Sequence, residues 1–220
     1  MAVYDLEEQE QIDELKTWWK QYGNLATTVI SLVAVAAVAW QGYNWWRRDQ
    51  AAQATAVYAV LERAAAANDV KRSREAAGEL IDKFSGTSYA GLAALLSAKL
   101  QFDSGDLKNA KLQLTWAVDH GQDVELRDLA RLRLAAVLLD EKAYDEALAQ
   151  LQVVPVEPFA ARYAELKGDV LAAQGKAADA KAAYAAALAK LDEPANKADQ
   201  RHASYRDLLQ VKLESQGAKP

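Results

Sequence analysis

An uncharged run of 26 residues, from Gln21 to Trp46, constrains this chain more than any other feature of its sequence. The centre of the run, residues 25–40, is apolar except for two threonines and one serine. A helix rises about 1.5 Å per residue, so a hydrocarbon core of about 30 Å needs roughly 20 residues. We therefore predict that the run forms a single membrane-spanning helix.

Aromatic side chains frame the run at both ends, and five of the six tryptophans of the chain lie in it or beside it. Tryptophan and tyrosine are enriched at the two interfaces between membrane and water, because their rings are apolar with one polar atom. Two arginines then end the uncharged run. The predicted membrane-interface anchors are Trp18, Trp19, Tyr22, Trp40, Tyr43, Trp45, Trp46, Arg47 and Arg48.

Two other interpretations of the run compete with a membrane span. A cleaved signal peptide would fit the small residues 37–39, but the first 20 residues are acidic, whereas a signal peptide begins with a positive region. A buried helix of a soluble domain rarely lacks a polar face over six or seven turns. The membrane span therefore accounts best for the run.

Composition sets limits on the rest of the chain. The net charge of −5 and the pI of about 5.2 argue against a nucleic-acid partner. Cysteine is absent, so the chain has neither disulfides nor thiolate chemistry. Alanine is abundant while glycine and proline are few, which favours helices throughout.

An internal repeat follows the uncharged run. Three predicted helix pairs carry an alanine in the first turn of their second helix, at intervals close to the 34-residue period of a tetratricopeptide repeat: Ala110, Ala147 and Ala180. Small residues let the two helices of a pair cross closely, and a larger residue fills the gap to the next pair. The further small positions are Ala98, Ala135, Gly168, Ala117, Val154 and Ala187, and the larger ones are Leu114, Leu151 and Tyr184.

The predicted fold is all-α, with one transmembrane helix followed by a tetratricopeptide-like solenoid and a C-terminal capping helix. The predicted helix pairs are 89–103 with 107–119, 125–140 with 144–153, and 158–173 with 177–191, after a divergent pair at 51–84. A turn at 192–196 leads to a last helix at 198–215. The predicted domains are an acidic tail (1–20), the transmembrane helix (21–46), the repeat domain (47–216) and a frayed tail (217–220).

No pattern in the sequence indicates an enzyme. The two histidines, His120 and His202, lie in different predicted elements, and no cluster has the spacing of metal ligands. Nucleophile, phosphate-loop and dinucleotide motifs are all missing. We predict a non-enzymatic protein without a cofactor, which acts through a binding surface.

The concave side of such a solenoid is lined by the first helix of each pair. Two hypotheses remain open for its apolar side chains: a groove for a polypeptide segment, or packing against neighbouring helices and the C-terminal helix. The third pair is more polar there, with Arg162, Glu165 and Asp169. The candidate groove residues are Leu92, Leu95, Lys99, Phe102, Leu129, Leu132, Arg133 and Leu139.

Over essentially its whole length the sequence resembles the ancillary SecYEG translocon subunit family of bacterial inner membranes, the YfgM type. Three passages of the repeat region carry the resemblance, after the acidic tail and the aromatic-framed span. They are Ser88-Tyr89-Ala90-Gly91-Leu92-Ala93, Leu132-Arg133-Leu134-Ala135, and Glu165-Leu166-Lys167-Gly168-Asp169 leading to Gly175.

The resemblance implies a cytoplasmic N-terminus and a periplasmic repeat domain. It further implies an accessory role in protein export, with the SecYEG channel, a PpiD-type periplasmic chaperone and emerging polypeptides as partners. Positive charges near the two ends of the span are almost balanced, so the residues alone leave the direction of insertion open. A membrane-anchored scaffold or regulator for another envelope assembly is the alternative function.

Overall fold

The computed structural model describes residues 3–192 and 203–216, and these residues form helices and no strand. The all-α prediction is therefore confirmed. The described residues do not include most of the predicted turn at 192–196, the start of the predicted last helix at 198–202 with His202, or the predicted frayed tail.

Helix α1 begins at Val3 and ends at Ala66 without a break, and it contains no glycine or proline after Arg48. The chain divides into two compact units, Met1–Gln50 and Ala51–Pro220, so the boundary falls within α1. The remaining helices all belong to the second unit. They are α2 (Val70–Lys83), α3 (Ser88–Asp103), α4 (Leu107–His120), α5 (Val124–Asp140), α6 (Tyr144–Gln150), α7 (Glu157–Ala173), α8 (Ala177–Leu191) and α9 (Ala203–Ser215).

The same tight turn joins the helices of four successive pairs. Asn68, Gly105, Lys142 and Gly175 each have a positive φ, between 52° and 83°. At each turn the next residue donates its N–H to the carbonyl five residues earlier, over 2.8–2.9 Å, which closes the preceding helix. The recurrence of this turn supports the divergent first pair that the sequence predicts at residues 51–84.

Lys142 carries a cost at this turn that glycine would not. A left-handed backbone costs a residue with a Cβ roughly 1–2 kcal/mol. Glycine would remove this cost, but part of the gain in stability is lost because glycine is more flexible in the unfolded chain. We expect Lys142→Gly to raise the free energy of unfolding by about 0.5–1 kcal/mol. Urea unfolding of the detergent-solubilised chain, followed by circular dichroism, measures the change.

The matched control is Lys181→Gly, because Lys181 is equally exposed but lies inside α8. There the same substitution should destabilise the chain by about 1 kcal/mol. Equal effects of the two substitutions would contradict the role given to the turn.

The predicted small positions lie where the paired helices cross. Ala110, Ala147 and Ala180 are fully buried, and Gly168 is so close to the next helix that a Cβ there would lie 2.5 Å from the ring of Tyr184. The prediction for Val154 is wrong, since this residue is 91% exposed. Helix α6 ends at Gln150, before Pro155, so Val154 lies in the loop to α7.

Three clusters of buried side chains follow one another along the second unit. The first joins α1 beyond residue 50 to α2 and the start of α3, the second runs from α3 to α7, and the third joins α7, α8 and α9. Neighbouring helices thus bury each other's apolar faces in sequence order, as expected for a solenoid. Leu209 of α9 is fully buried, so α9 covers the end of the stack at α8.

A buried carboxylate, Asp128 of α5, fastens the start of α7. Its side chain accepts hydrogen bonds from Val156 N at 2.8 Å and from Arg131 Nη1 at 3.0 Å. The hydroxyl of Tyr163 donates to the Asp128 carbonyl at 2.8 Å. Burial raises the pKa of the Tyr163 hydroxyl, with the Asp128 charge acting in the same direction. The tyrosine therefore stays neutral and remains a donor.

Candidate membrane span and polypeptide-binding surface

The uncharged run lies in α1 with its apolar side chains exposed. Within the described residues, α1 is the one helix long and apolar enough to cross a membrane, with a mean hydropathy of 1.7 in its most apolar window. Leu25 is 67% exposed and Val38 is 71% exposed, and nearly every side chain between them is exposed too. Apolar surface on this scale is stable in hydrocarbon but not in water. This helix is therefore a candidate membrane anchor.

The helix itself satisfies the two threonine hydroxyl groups inside the run. Thr27 Oγ1 donates to the carbonyl of Gly23 at 2.9 Å, and Thr28 Oγ1 donates to that of Asn24 at 2.7 Å. Such bonds to the preceding turn remove the need for water as a partner. These two threonines therefore do not conflict with a membrane span.

The predicted interface anchors form two aromatic groups, one at each end of the run. Trp18 contacts Trp19 and Tyr22, with ring centroids 6.3 and 6.0 Å apart. At the other end Tyr43 lies 6.1 Å from Trp46 and under the guanidinium of Arg47. The remaining anchors, Trp40, Trp45 and Arg48, are exposed. This arrangement is typical of a span with interfacial anchors.

A cavity of about 250 Å³ opens between α3 and α5, and we call it the α3–α5 crevice. Three of the candidate groove residues, Lys99, Phe102 and Arg133, line it. Phe102 is 40% exposed, which is unusual for a phenylalanine. The other residues that line the crevice are Ala98, Leu114, Ala136, Val137 and Asp140.

The other candidate groove residues do not line this crevice. Leu95 is only 4% exposed and belongs to the core, so for Leu95 the packing hypothesis describes its environment. Leu129, Leu132 and Leu139 are partly buried and pack against the same core cluster. Leu92 is also partly buried. The structure therefore places the most accessible apolar surface of the predicted groove at the C-terminal ends of α3 and α5.

The corresponding place between α5 and α7 is lined differently. One repeat further along the chain, Leu139 stands in the place of Phe102, Ala136 in that of Lys99, and Leu166 in that of Arg133. Both leucines pack against the buried core cluster. Aliphatic side chains thus cover this place, whereas the α3–α5 crevice combines an apolar floor with two cations.

Between α7 and α9 the same place is taken by an ion network. Lys212 Nζ of α9 lies 2.8 Å from Glu165 Oε1 and 2.8 Å from both oxygens of Asp169. Tyr205 of α9 donates to Glu165 at 2.7 Å, and Tyr184 donates to Asp169 at 2.8 Å. The polar positions that the sequence shows in the third pair therefore hold the terminal helix.

Arg162 completes this network from the side. Its guanidinium lies 4.0 Å from the ring centroid of Tyr205, and its Nη1 lies 3.4 Å from Glu165 Oε2. Stacking of a guanidinium on an aromatic face adds a favourable electrostatic contact. Arg162, Glu165 and Asp169 thus serve the attachment of α9.

The network fixes protonation states that persist to high pH. Burial opposes the charge of Lys212, but its hydrogen bonds to Asp169 and Glu165 raise its pKa above the ordinary value. Burial raises the pKa of Tyr184 and of Tyr205, and hydrogen bonds to Asp169 and Glu165 add to the effect. At neutral pH the lysine is charged and both tyrosines are neutral donors.

We expect the attachment of α9 to weaken only above about pH 10. For each of these three groups the pKa is higher in the folded chain, so the unfolded chain releases its protons first as the pH rises. The free energy of unfolding should therefore stay level up to the ordinary pKa values of 10.0 and 10.5 and fall beyond them.

The detachment of α9 is measured by proteolysis of the α8–α9 connection between pH 8 and 11, with a protease that is active throughout this range. In the variant Tyr205→Phe the loss above about pH 10 should be smaller than in the wild-type chain, because phenylalanine has no proton to release. Release that begins near pH 8 would contradict the assignment.

Two features of the repeat domain could not be predicted from the sequence. The crevice is also lined by Ala136, Val137 and Asp140. Only an alignment of each repeat on the next shows that Arg133 and Lys99 stand where the next repeat has aliphatic or small residues. Asp128 looks like any solvated helix acid in the sequence. Its burial depends on the α6–α7 loop folding over it, which no local pattern reveals.

Comparison with known proteins agrees with this architecture. The chain matches the family model described as a tetratricopeptide repeat-like domain over residues 16–218, which include the uncharged run. Three similar proteins are each named ancillary SecYEG translocon subunit. The Neisseria gonorrhoeae protein is 33% identical over 98% of this chain and 99% of its own length. Those of Haemophilus influenzae and Escherichia coli are 33% and 27% identical over 83% and 86% of this chain, and 89% and 90% of their own lengths.

Proposed function

Because this chain belongs to the family of ancillary SecYEG translocon subunits with a tetratricopeptide repeat-like domain, we propose that it is a non-enzymatic accessory subunit of the SecYEG protein-export machinery. The observation that carries the proposal is the match to the Neisseria gonorrhoeae protein over nearly the full length of both chains. That match includes the exposed apolar helix as well as the repeats. The family name is not that of an enzyme.

The two units have separate roles in this proposal. The apolar part of α1 anchors the chain in the bacterial inner membrane and docks against the channel. The repeat domain binds emerging polypeptides or a PpiD-type periplasmic chaperone. The open α3–α5 crevice supports a role in binding, since it offers accessible apolar surface beside charged groups.

We propose that the N-terminus is cytoplasmic and the repeat domain periplasmic. The resemblance to the family supports this direction, because the charges at the two ends of the run do not decide it. Protease added to spheroplasts should digest the repeat domain and leave a protected N-terminal fragment. Survival of the whole domain under external protease would overturn this direction of insertion.

Affinity purification of the full chain in mild detergent, after crosslinking in membranes, tests the proposed function. The channel subunits should copurify with the wild-type chain. A matched control replaces residues 25–40 with an unrelated apolar helix of the same length, which should still insert but retain less channel. Absence of the channel from crosslinked wild-type material would overturn the proposal.

A further inference from the structure

We propose that the α3–α5 crevice binds one bulky apolar side chain of an extended polypeptide segment, with an adjacent acidic side chain paired to Arg133. The inference rests on the proposed function, since it names the chemistry that the repeat domain recognises in its polypeptide partner. Its occupant is an internal segment of another protein, with leucine or phenylalanine as the anchor.

The size and walls of the crevice fit one such side chain. A dry apolar cavity of about 150 Å³ already accepts a benzene molecule, and this one measures about 250 Å³. Its floor is apolar, with Ala98 and Leu114 buried and Phe102 offering a partly exposed ring. An entering phenylalanine ring can therefore lie against an aromatic face without displacing any core residue.

The mouth of the crevice carries a cation with unused donors. Arg133 Nη1 donates to the carbonyl of Leu95 over a long 3.4 Å, and no carboxylate among the described residues forms an ion pair with its guanidinium. Lys99, by contrast, is already paired with Asp103 at 2.5 Å. Partial burial lowers the pKa of Arg133, but an arginine remains charged at neutral pH. A ligand carboxylate would thus find its partner in Arg133.

Asp140 supplies the complementary acceptor. It lies seven residues after Arg133, on the same face of α5, and it also lines the crevice. The backbone of an extended segment has free N–H groups, because it makes no hydrogen bonds of its own. Asp140 can accept from one of these while Arg133 holds the acidic side chain. A basic residue in place of the acidic one would be repelled by the positive charge of Arg133.

The repeat register argues that the crevice is not an ordinary packing gap. At the next interface Ala136 and Leu166 replace Lys99 and Arg133, and Leu166 packs against the core. At the last interface the ions of α7 and α9 neutralise one another. Neither packed aliphatic side chains nor a neutralised ion network fills the α3–α5 crevice. Among these three interfaces of the described residues, the one between α3 and α5 therefore offers the open anchor site.

Peptide binding to the full chain in lipid nanodiscs tests the inference. Three labelled 12-residue peptides of glycine and serine carry, at their centre, Phe-Glu, Phe-Lys or Ala-Glu, and fluorescence anisotropy reports their binding. Empty nanodiscs measure binding to lipid. Phe-Glu should bind at least about tenfold tighter than Ala-Glu, from burial of the ring. It should bind at least about threefold tighter than Phe-Lys, from the charge pair.

Two variants and a matched control assign this binding to the crevice. The pair Lys99→Ala with Arg133→Leu copies the next interface and should weaken Phe-Glu binding at least about tenfold without loss of helix content. Arg133→Glu should reverse the preference, so that Phe-Lys binds tighter than Phe-Glu. Lys181→Glu changes charge equally on the exposed side of α8 and should leave the affinities unchanged.

The inference would be overturned if the wild-type chain bound Phe-Glu no tighter than Ala-Glu, or no tighter than Phe-Lys. It would also be overturned if Arg133→Glu left the preference for Phe-Glu over Phe-Lys unchanged. Copurification of the channel, measured with the same variants, separates this failure from that of the proposed function. If the channel copurifies while peptide selectivity is absent, the crevice is not the anchor site but the accessory role stands. If peptide selectivity is present without the channel, the proposed function fails and the crevice assignment stands.

Discussion

Replacing Gly168 with alanine should lower the free energy of unfolding by about 1–3 kcal/mol, although alanine is the better helix former. The new Cβ would lie 2.5 Å from Cε1 and 2.6 Å from Cδ1 of Tyr184. Tyr184 is 2% exposed, and its hydroxyl is held by Asp169. The ring cannot move aside without breaking that hydrogen bond or separating α7 from α8. Urea unfolding of the detergent-solubilised chain, followed by circular dichroism, measures the effect.

The chain contains its own control for this substitution. Gly78 also lies inside a helix, α2, but a Cβ there would meet nothing within 4 Å. Gly78→Ala should therefore raise the free energy of unfolding by about 0.5–1 kcal/mol. A loss of stability of similar size at both glycines would contradict the close approach of α7 and α8.

Replacing Asp128 with alanine should destabilise the repeat domain by about 3–5 kcal/mol. The carboxylate is 2% exposed and serves both Val156 N and Arg131, so its removal leaves a backbone donor and a largely buried cation without a partner. The start of α7 should loosen first, since Val156 is the residue before that helix. Hydrogen exchange at the α7 N-terminus and urea unfolding together measure this change.

Asp128→Asn should destabilise the repeat domain less than Asp128→Ala does. The amide oxygen of the asparagine can still accept a hydrogen bond from Val156 N, but it carries no negative charge to pair with Arg131. The control Asp179→Ala removes an exposed carboxylate of α8 and should change stability by no more than about 0.5 kcal/mol. If Asp128→Ala behaves like Asp179→Ala, the carboxylate does not fasten α7.

The repeats could be predicted because each is a local pattern that recurs. Three alanines in register predicted the helix crossings, and all three are fully buried. The pattern failed at Val154, where it was extended past the end of a short helix. Spacing alone does not say where a helix stops, and Pro155 was the local signal that Val154 itself is not helical.

The surface was harder to predict because it depends on gaps between helices. The sequence placed Lys99, Phe102 and Arg133 on the concave side, and the structure brings them around one crevice. It placed Leu95 there as well, but this side chain turns into the core. A helical period of 3.6 residues assigns faces only to within one residue, so neighbouring core and groove positions are easily exchanged. The ion network of α9 joins residues some 40 positions apart, and no local pattern connects them.

Site-specific photocrosslinking in native membranes tests the accessory role most directly. A photoreactive phenylalanine derivative at Val29 or Val38, which are exposed on opposite faces of the apolar run, should crosslink to a channel subunit from at least one of the two helix faces. The same derivative at Leu112, exposed on α4, serves as the comparison within the repeat domain. Channel crosslinks from the apolar run should disappear when residues 25–40 are replaced by an unrelated apolar helix. Crosslinks from the run to lipid or to other proteins, but never to the channel, would contradict it.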